Sequence, residues 1–168
     1  MPHPLVGKKA PSLSLPKQDG EVYNFNPGTQ GAPVAVFFVP DADSFGCSRE
    51  ICGFRDALVD QAAFTGSKIS LIGIGPNTVE QMKMVADKQK VTYPMLSDDK
   101  GEARKAYSVG RGLMGLTEGR VTFFLDKEGV VRDVMDSVIN YNGHIKFVNK
   151  CLQDLEAEEK KAAATTTS

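Results

Sequence analysis

The 168 residues predict an α/β fold, a single domain whose mixed central sheet is flanked by helices. Residues 33–39 (PVAVFFV) and 68–74 (KISLIGI) are continuous apolar runs rich in β-branched residues, as strands buried on both faces are. Between them, residues 46–64 carry apolar side chains at helical spacing, at Ile51, Phe54, Leu58 and Val59. Residues 120–125 (RVTFFL) are followed by Lys127-Glu128-Gly129 and then by the run 130–135, which predicts a closing hairpin. Strands alternating with helices and ending in a hairpin imply parallel and antiparallel neighbours in one sheet.

The remaining elements follow in order. Leu13 and Leu15, then Asp19-Gly20, then Val22, Tyr23 and Phe25 predict an N-terminal hairpin. Pro40 stops the first buried strand. Gly75-Pro76-Asn77 turns the second, and Thr78 can cap a helix with Val79, Met82, Val85 and Ala86 on one side. Residues 94–96 are a short strand and 101–107 a short helix. A last helix over residues 143–158 presents Ile145, Val148, Leu152 and Leu155 to the core. The domain is expected to span residues 1–157. Residues 158–168, charged and then Ala/Thr-rich, are expected to form a disordered tail.

Lys plus Arg number 20 against 21 Asp plus Glu, so the basic surplus of a nucleic-acid-binding surface is absent. No apolar stretch approaches bilayer length, and Lys8-Lys9 is followed by no apolar run of a secretory signal. The expectation is a soluble intracellular protein, cytoplasmic by default, with no membrane partner. Three cysteines do not make a disulfide scaffold. A close pair in a reducing compartment points to redox chemistry or to metal. With only His3 and His144 as histidines, and neither near the pair in sequence, no metal and no cofactor are expected.

Cys47 follows a strand and a polar loop and opens a helix. Unpaired backbone N–H groups and the positive end of the helix stabilise a thiolate there. A buried, inert cysteine is the alternative, and the polar flank Asp41, Asp43, Ser44 and Gly46 argues against it. Cys52 lies five residues on. On an unbroken helix the two Cα atoms would be roughly 8.7 Å apart, beyond the ~4.4–6.8 Å that a disulfide allows. If the two sulfurs pair, the first turns must unwind.

The run Pro40-Asp-Ala-Asp-Ser44-Phe-Gly-Cys47 resembles the peroxiredoxin motif Pro-x-x-x-(Thr/Ser)-x-x-Cys. The continuation Cys47-Ser-Arg-Glu50-Ile-Cys52 is similar to that of the Q-type, bacterioferritin-comigratory subgroup of the AhpC/TSA superfamily. Tyr93-Pro-Met-Leu-Ser-Asp98 and Arg120-Val-Thr-Phe-Phe-Leu-Asp126 resemble two further segments of that subgroup, in the same order. The resemblance covers residues 5–155 and implies a thioredoxin-like fold.

It also implies a thiol-dependent peroxidase acting on hydrogen peroxide and organic hydroperoxides. Cys47 would be the peroxidatic nucleophile and Cys52 the resolving thiol, with thioredoxin or a similar dithiol as reductant. Ser44 would hydrogen-bond the peroxide and the sulfur. Arg120 would keep the sulfur ionised and polarise the O–O bond. Pro40 would shield the site, and Glu50 would orient Arg120. Substrate would be bound by Ser44, Gly46, Cys47 and Arg120, in a monomer or weak dimer. Ser44-Phe45 in place of the family's Thr-Pro, and Gly75-Pro76-Asn77 in place of Ser-x-Asp, are departures that touch rate and preference. A peroxide-sensing thiol switch with little turnover is the alternative from a different class, and an inert interaction module is a third.

Gly110-Arg-Gly-Leu-Met-Gly115 spells GxGxxG but does not open a helix after a strand, so a flexible loop is expected. Leu113 and Met114 could form an apolar lip for larger hydroperoxides, and Arg111 could add charge near the site. Cys151 is expected as a small buried hydrophobe, with a substitute resolving role as the alternative. His144 is expected at the surface of a helix start, and Arg55 and Arg104 on solvated helix faces.

Overall fold

The computed structural model describes residues 2–166. Strands β1 (Leu13–Pro16) and β2 (Val22–Phe25) form the N-terminal hairpin. They are followed by β3 (Val34–Phe38), α1 (Phe45–Asp60), α2 (Ala62–Ser67), β4 (Ser70–Gly75), α3 (Val79–Gln89), β5 (Met95–Ser97) and α4 (Glu102–Ala106). The two-residue strands β6 (Arg111–Gly112) and β7 (Thr117–Glu118) flank a 3-10 turn. Strands β8 (Val121–Leu125) and β9 (Val131–Asp136) and helix α5 (Tyr141–Thr166) complete the chain.

The central sheet has the order β5-β4-β3-β8-β9. Strands β3, β4 and β5 run parallel, and β8 and β9 are antiparallel to their neighbours. All five residues of β3 are buried because the sheet is covered on both sides. Side chains alternate across a strand. Ala35 and Phe37 therefore pack into the core layer under α1 and α5, with Phe54, Val148 and Leu152. Val34, Val36 and Phe38 pack into the opposite layer, with Leu13, Leu15, Phe25 and Tyr107. The N-terminal hairpin thus forms the second cover that a two-faced buried strand requires. This is the mixed, helix-flanked sheet that the sequence predicts.

Three local expectations need correction. The helix expected over 46–64 is interrupted: Gln61 is extended, and a second short helix begins at Ala62. The step lets Phe64 turn inward to within 6.5 Å of the Phe54 ring. Val59, assigned to the apolar face, is exposed. At the C-terminus, α5 is helical to Thr166, whereas residues 158–168 were expected as a disordered tail, of which 167 and 168 lie outside the described residues. Residues 156–165 of this extension are exposed, so its helicity comes from Ala, Glu and Lys propensity and from i,i+4 pairs such as Glu156–Lys160.

Residues 110–115 are also not a plain loop. Arg111 pairs with Glu118 and Gly112 with Thr117 across a hairpin whose turn holds Leu113, Met114 and Gly115 at positive φ. Gly112 is small because a Cβ there would come within 2.2 Å of Val138 Cγ2. Among the described residues no helix is long and apolar enough to cross a membrane.

Candidate active site

The site forms where β3 ends. Pro40, which has no N–H, ends the ladder, and the chain then makes a tight loop. The Asp41 carbonyl accepts from the Ser44 backbone N–H at 3.0 Å and from the Ser44 hydroxyl at 2.8 Å. Asn77, almost buried after β4, holds the loop from the side. Its Oδ1 accepts from the Ala42 N–H at 2.9 Å, and its amide donates to Asp41 Oδ1 at 2.9 Å. Asn77 stands at one of the sequence's departures from the family pattern, and here it pins the loop that precedes Cys47.

Ser44 is the N-cap of α1, with φ −83° and ψ 161°. Its hydroxyl accepts from the Cys47 N–H at 3.4 Å while donating to Asp41. A Ser at this position satisfies one of the orphan donors of the first turn. Cys47 is therefore in the first turn of a 16-residue helix, fully buried and free. Phe45, one residue before Gly46, is exposed, stacks edge-on against Tyr141 at 6.4 Å, and lies under the Arg49 guanidinium.

Arg120 reaches this turn because of strand register. Phe38 pairs with Val121, so the residue before β8 lies beside the end of β3. A Cβ on Gly46 would come within 3.2 Å of Arg120 Nη2 and of the Tyr141 ring, which explains a glycine next to Cys47. The guanidinium is held from two sides. Nη1 donates to Glu50 Oε2 at 2.6 Å, and Nε donates to the Val138 carbonyl at 2.7 Å. Glu50 is fully buried, one turn beyond Cys47 on the same helix face. Burial pushes its carboxyl up to about 8, against the pull of Arg120. Its second oxygen, Oε1, has no hydrogen-bond partner among the described residues.

Cys52 lies further along the unbroken α1, half-buried and free. Its thiol donates to Gln89 Oε1 at 3.0 Å, and Arg55 bonds the Gln89 carbonyl. One residue earlier, the Ile51 carbonyl accepts from the buried Tyr93 hydroxyl at 2.6 Å. Residues 51–55 are thereby fastened to the end of α3 and the start of the next segment. With both cysteines in one continuous helix, their sulfurs project from different faces.

Two residues expected at the surface are buried in the site's walls. Arg104 is not on a solvated face. Asp98 accepts from its backbone N–H and fixes the start of α4, and the side chain turns inward. Arg104 Nη2 donates to the Val39 carbonyl at 2.6 Å and Nη1 to the Gly119 carbonyl at 3.3 Å, tying the residues that precede Pro40 and Arg120. Burial lowers its pKa, while Glu118, Asp98 and the nearby Cys47 sulfur work the other way. His144 is not at the surface of a helix start either. It lies wholly inside, between Thr122 and Ser137. Both corrections have one cause: the short helix and the last helix are rotated by long-range packing that a single residue's neighbours in sequence do not report.

Arg111 is exposed and engaged with Glu118 at 2.8 Å within its hairpin. Cys151 is half-buried on α5, and burial pushes its thiol up to about 12, with Asp133 and Asp154 adding to the effect. It lies by Phe124 and Asp133, whereas Arg120 is at the other end of β8, about 13 Å away along a strand of that rise. Among the described residues no group of three or more His, Cys, Asp or Glu is placed to hold a metal.

The buried polar groups make stability depend on pH. Burial lowers His144 from 6.5 to about 4, so its contribution is present above pH 6.5 and lost as the pH falls toward 4. That loss is roughly 3 kcal/mol in all. Glu50, which faces His144 from α1, has the opposite sign. Raised from 4.5 to about 8, its share is present below pH 4.5 and lost as the pH rises through 8. Arg120, also near, further lowers His144. The two slopes oppose each other between pH 4.5 and 6.5. His144→Gln is expected to remove the acid-side loss, so that urea midpoints fall steadily with rising pH across that window. A variant with the wild-type pH profile would contradict this.

The family model described as AhpC/TSA family matches residues 6–134. A chloroplastic peroxiredoxin Q of Populus jackii is 32% identical over 149 residues, covering 89% of this chain and 68% of that protein. The chloroplastic peroxiredoxin Q of Suaeda salsa is 34% identical over 149 residues, with 89% and 68% covered. Among solved structures, peroxidoxin BcpB from Mycobacterium tuberculosis superposes with a TM-score of 0.78 at 30% identity, covering 89% of this chain and 96% of that one. A bacterioferritin comigratory protein of Xanthomonas campestris, at 22% identity and a TM-score of 0.72 over 84% and 90% of the two chains, shares the fold. With the matched stretch running from before the N-terminal hairpin into β9 and including the Cys47 loop, the chain belongs to the AhpC/TSA family, alongside its Q-type peroxiredoxins.

Proposed function

We propose that this peroxiredoxin reduces hydroperoxides through Cys47, with Cys52 as resolving thiol and a dithiol protein such as thioredoxin as reductant. The observation that carries the reading is the first turn of α1. There a buried cysteine, its N–H bonded to Ser44, directly follows Gly46, and against Gly46 lies a guanidinium that Glu50 and Val138 hold in place. The Cys47 thiolate attacks one peroxide oxygen, the O–O bond breaks, and the other oxygen leaves as water or alcohol after taking a proton. Negative charge spreads from sulfur to both oxygens on the way. The fixed Arg120 donors and the N–H groups of the first turn stabilise charge that develops there. Cys47 is left as a sulfenic acid.

Resolution follows by attack of the Cys52 sulfur on the Cys47 sulfur, with loss of water and formation of a disulfide. At helical spacing the pair is too far apart, so residues 47–52 must leave the helix. The Cys52–Gln89 and Tyr93–Ile51 bonds are the ones this unwinding breaks. A dithiol then reduces the disulfide by exchange and the helix reforms. Pro40, half-buried, limits water at the sulfur. Ser44 would contact peroxide only by turning its proton away from Asp41. The reading carries with it a reducing, intracellular location. The family does not favour the alternative of a sensor with little turnover.

One equivalent of peroxide is expected to convert the reduced chain to a form two mass units lighter, with Cys47 and Cys52 in one cross-linked peptide and a partial loss of far-ultraviolet helical signal. Cross-linking through Cys151, or full helicity in the oxidised form, would overturn the resolving step.

Substrate preference has its own test. Met114 and Leu116 are fully exposed or nearly so and Leu113 is partly so, on the hairpin that leads into Arg120. Replacing Leu113 and Met114 together by Ser is expected to raise KM for an organic hydroperoxide more than for hydrogen peroxide. Equal effects would remove the lip.

A further inference from the structure

The mechanism above makes no use of His144, yet this ring touches each element that holds Arg120. Its Nε2 is 2.8 Å from the Ser137 carbonyl and its Nδ1 is 2.8 Å from Thr122 Oγ1. A carbonyl only accepts, so Nε2 carries the hydrogen. Burial keeps the ring neutral at physiological pH. Nδ1 is therefore a bare acceptor, and the Thr122 hydroxyl donates to it. Protonation state and tautomer follow from the two partners together.

Each partner adjoins the guanidinium. Ser137 precedes Val138, whose carbonyl accepts from Arg120 Nε at 2.7 Å. The Ser137 N–H donates to the Arg120 carbonyl at 3.1 Å. Thr122 is two residues along β8 from Arg120 and wholly buried. On the third side Nδ1 is 3.8 Å from Glu50 Oε1, the oxygen left without a hydrogen-bond partner among the described residues. That separation is too long for a hydrogen bond, so the ring acts on Glu50 as a wall. It limits the rotation of the carboxyl, whose other oxygen holds Arg120 Nη1 at 2.6 Å.

We propose that His144 is a positioning residue for Arg120, joining Thr122, the Ser137 carbonyl next to Val138 and the face of Glu50 into one frame that fixes the guanidinium. The inference rests on the reading in which Arg120 assists attack at Cys47. A neutral, doubly bonded ring is suited to this work because it ties strand, loop and helix without adding a charge beside a buried carboxyl. Small misplacements of a group that stabilises a transition state cost roughly 100-fold in rate.

The test measures two second-order rate constants at Cys47, by mass spectrometry of quenched samples: one for hydrogen peroxide and one for iodoacetamide. Alkylation needs the thiolate but no polarised O–O bond, so the ratio of the two reports the guanidinium. His144→Phe is expected to lower the ratio roughly 10- to 100-fold. His144→Gln, which can still donate to the Ser137 carbonyl, is expected to recover most of it. In the double variant with Arg120→Met the ratio should be no lower than in Arg120→Met alone. Thr122→Val, nearly isosteric, carries the same expectation in weaker form if His144→Phe does not fold. An unchanged ratio in His144→Phe and Thr122→Val, with a lowered one in Arg120→Met, overturns the role of His144 and leaves that of Arg120 standing. Additive losses in the double variant also overturn it. An unchanged ratio in Arg120→Met removes the reading of Arg120 and this inference with it.

Discussion

Cys47→Ser is expected to consume no peroxide above the uncatalysed rate, whereas Cys52→Ser completes about one turnover per chain and stalls. A serine hydroxyl at position 47 has no base in the first turn to ionise it, and an alcohol is a poor nucleophile toward an O–O bond. The replacement is close in size, and the cost of burying its hydroxyl is about 1–3 kcal/mol, so the chain should remain folded. Cys52→Ser keeps the nucleophile but removes the resolving sulfur. Cys151 is not expected to replace it, because its thiol is pushed up to about 12 and it lies toward the far end of β8. Steady-state consumption with thioredoxin, its reductase and NADPH separates the two variants. Full turnover by Cys52→Ser would transfer the resolving role to Cys151 or to an external thiol, and the unwinding of α1 would lose its purpose.

Arg120→Met is expected to lower the second-order rate constant with peroxide by about 100- to 1,000-fold, the loss that follows removal of one preorganised donor to developing charge. Its effect on stability is more moderate than that of breaking an obligate ion pair, which costs about 3–5 kcal/mol. Glu50 already titrates near 8 through burial, so it takes up a proton once the guanidinium is gone. Glu50→Gln provides the contrast. The amide oxygen still accepts from Arg120 Nη1, so this variant is expected to stay within about tenfold of wild type. Stopped-flow peroxide reduction and urea unfolding on the same samples check both halves. A loss in Glu50→Gln equal to that in Arg120→Met would mean that the charge of Glu50, rather than its acceptor oxygen, holds the site.

Much of this was legible in the residues themselves. The two buried runs before and after α1 became β3 and β4, and the closing hairpin became β8 and β9. Thr78, read as a cap, became the N-cap of α3. These features are local: period, turn chemistry and capping act within a few residues. The break at Gln61 and the helical extension to Thr166 were not legible. The first follows from where Phe64 can be buried, and the second from pairing along an exposed helix.

The sequence by itself determined the alternation of strands and helices and the helix that Cys47 opens, because these are written in spacing and turn chemistry, whereas the candidate roles of Cys47 and Arg120 came from the resemblance of their motifs to a family. Glu50 was expected to orient the arginine from the resemblance, but only the tertiary structure decided the geometry and added the Val138 carbonyl. Glu50 and Arg120 are 70 positions apart, and the pairing of Phe38 with Val121 brings them to 2.6 Å. Asn77, Arg104 and His144 are single polar residues with no periodic neighbours to mark them. A polar side chain in a sequence reads as solvated by default. Burial becomes affordable only when partners distant in sequence satisfy its hydrogen bonds, and register and packing alone choose those partners.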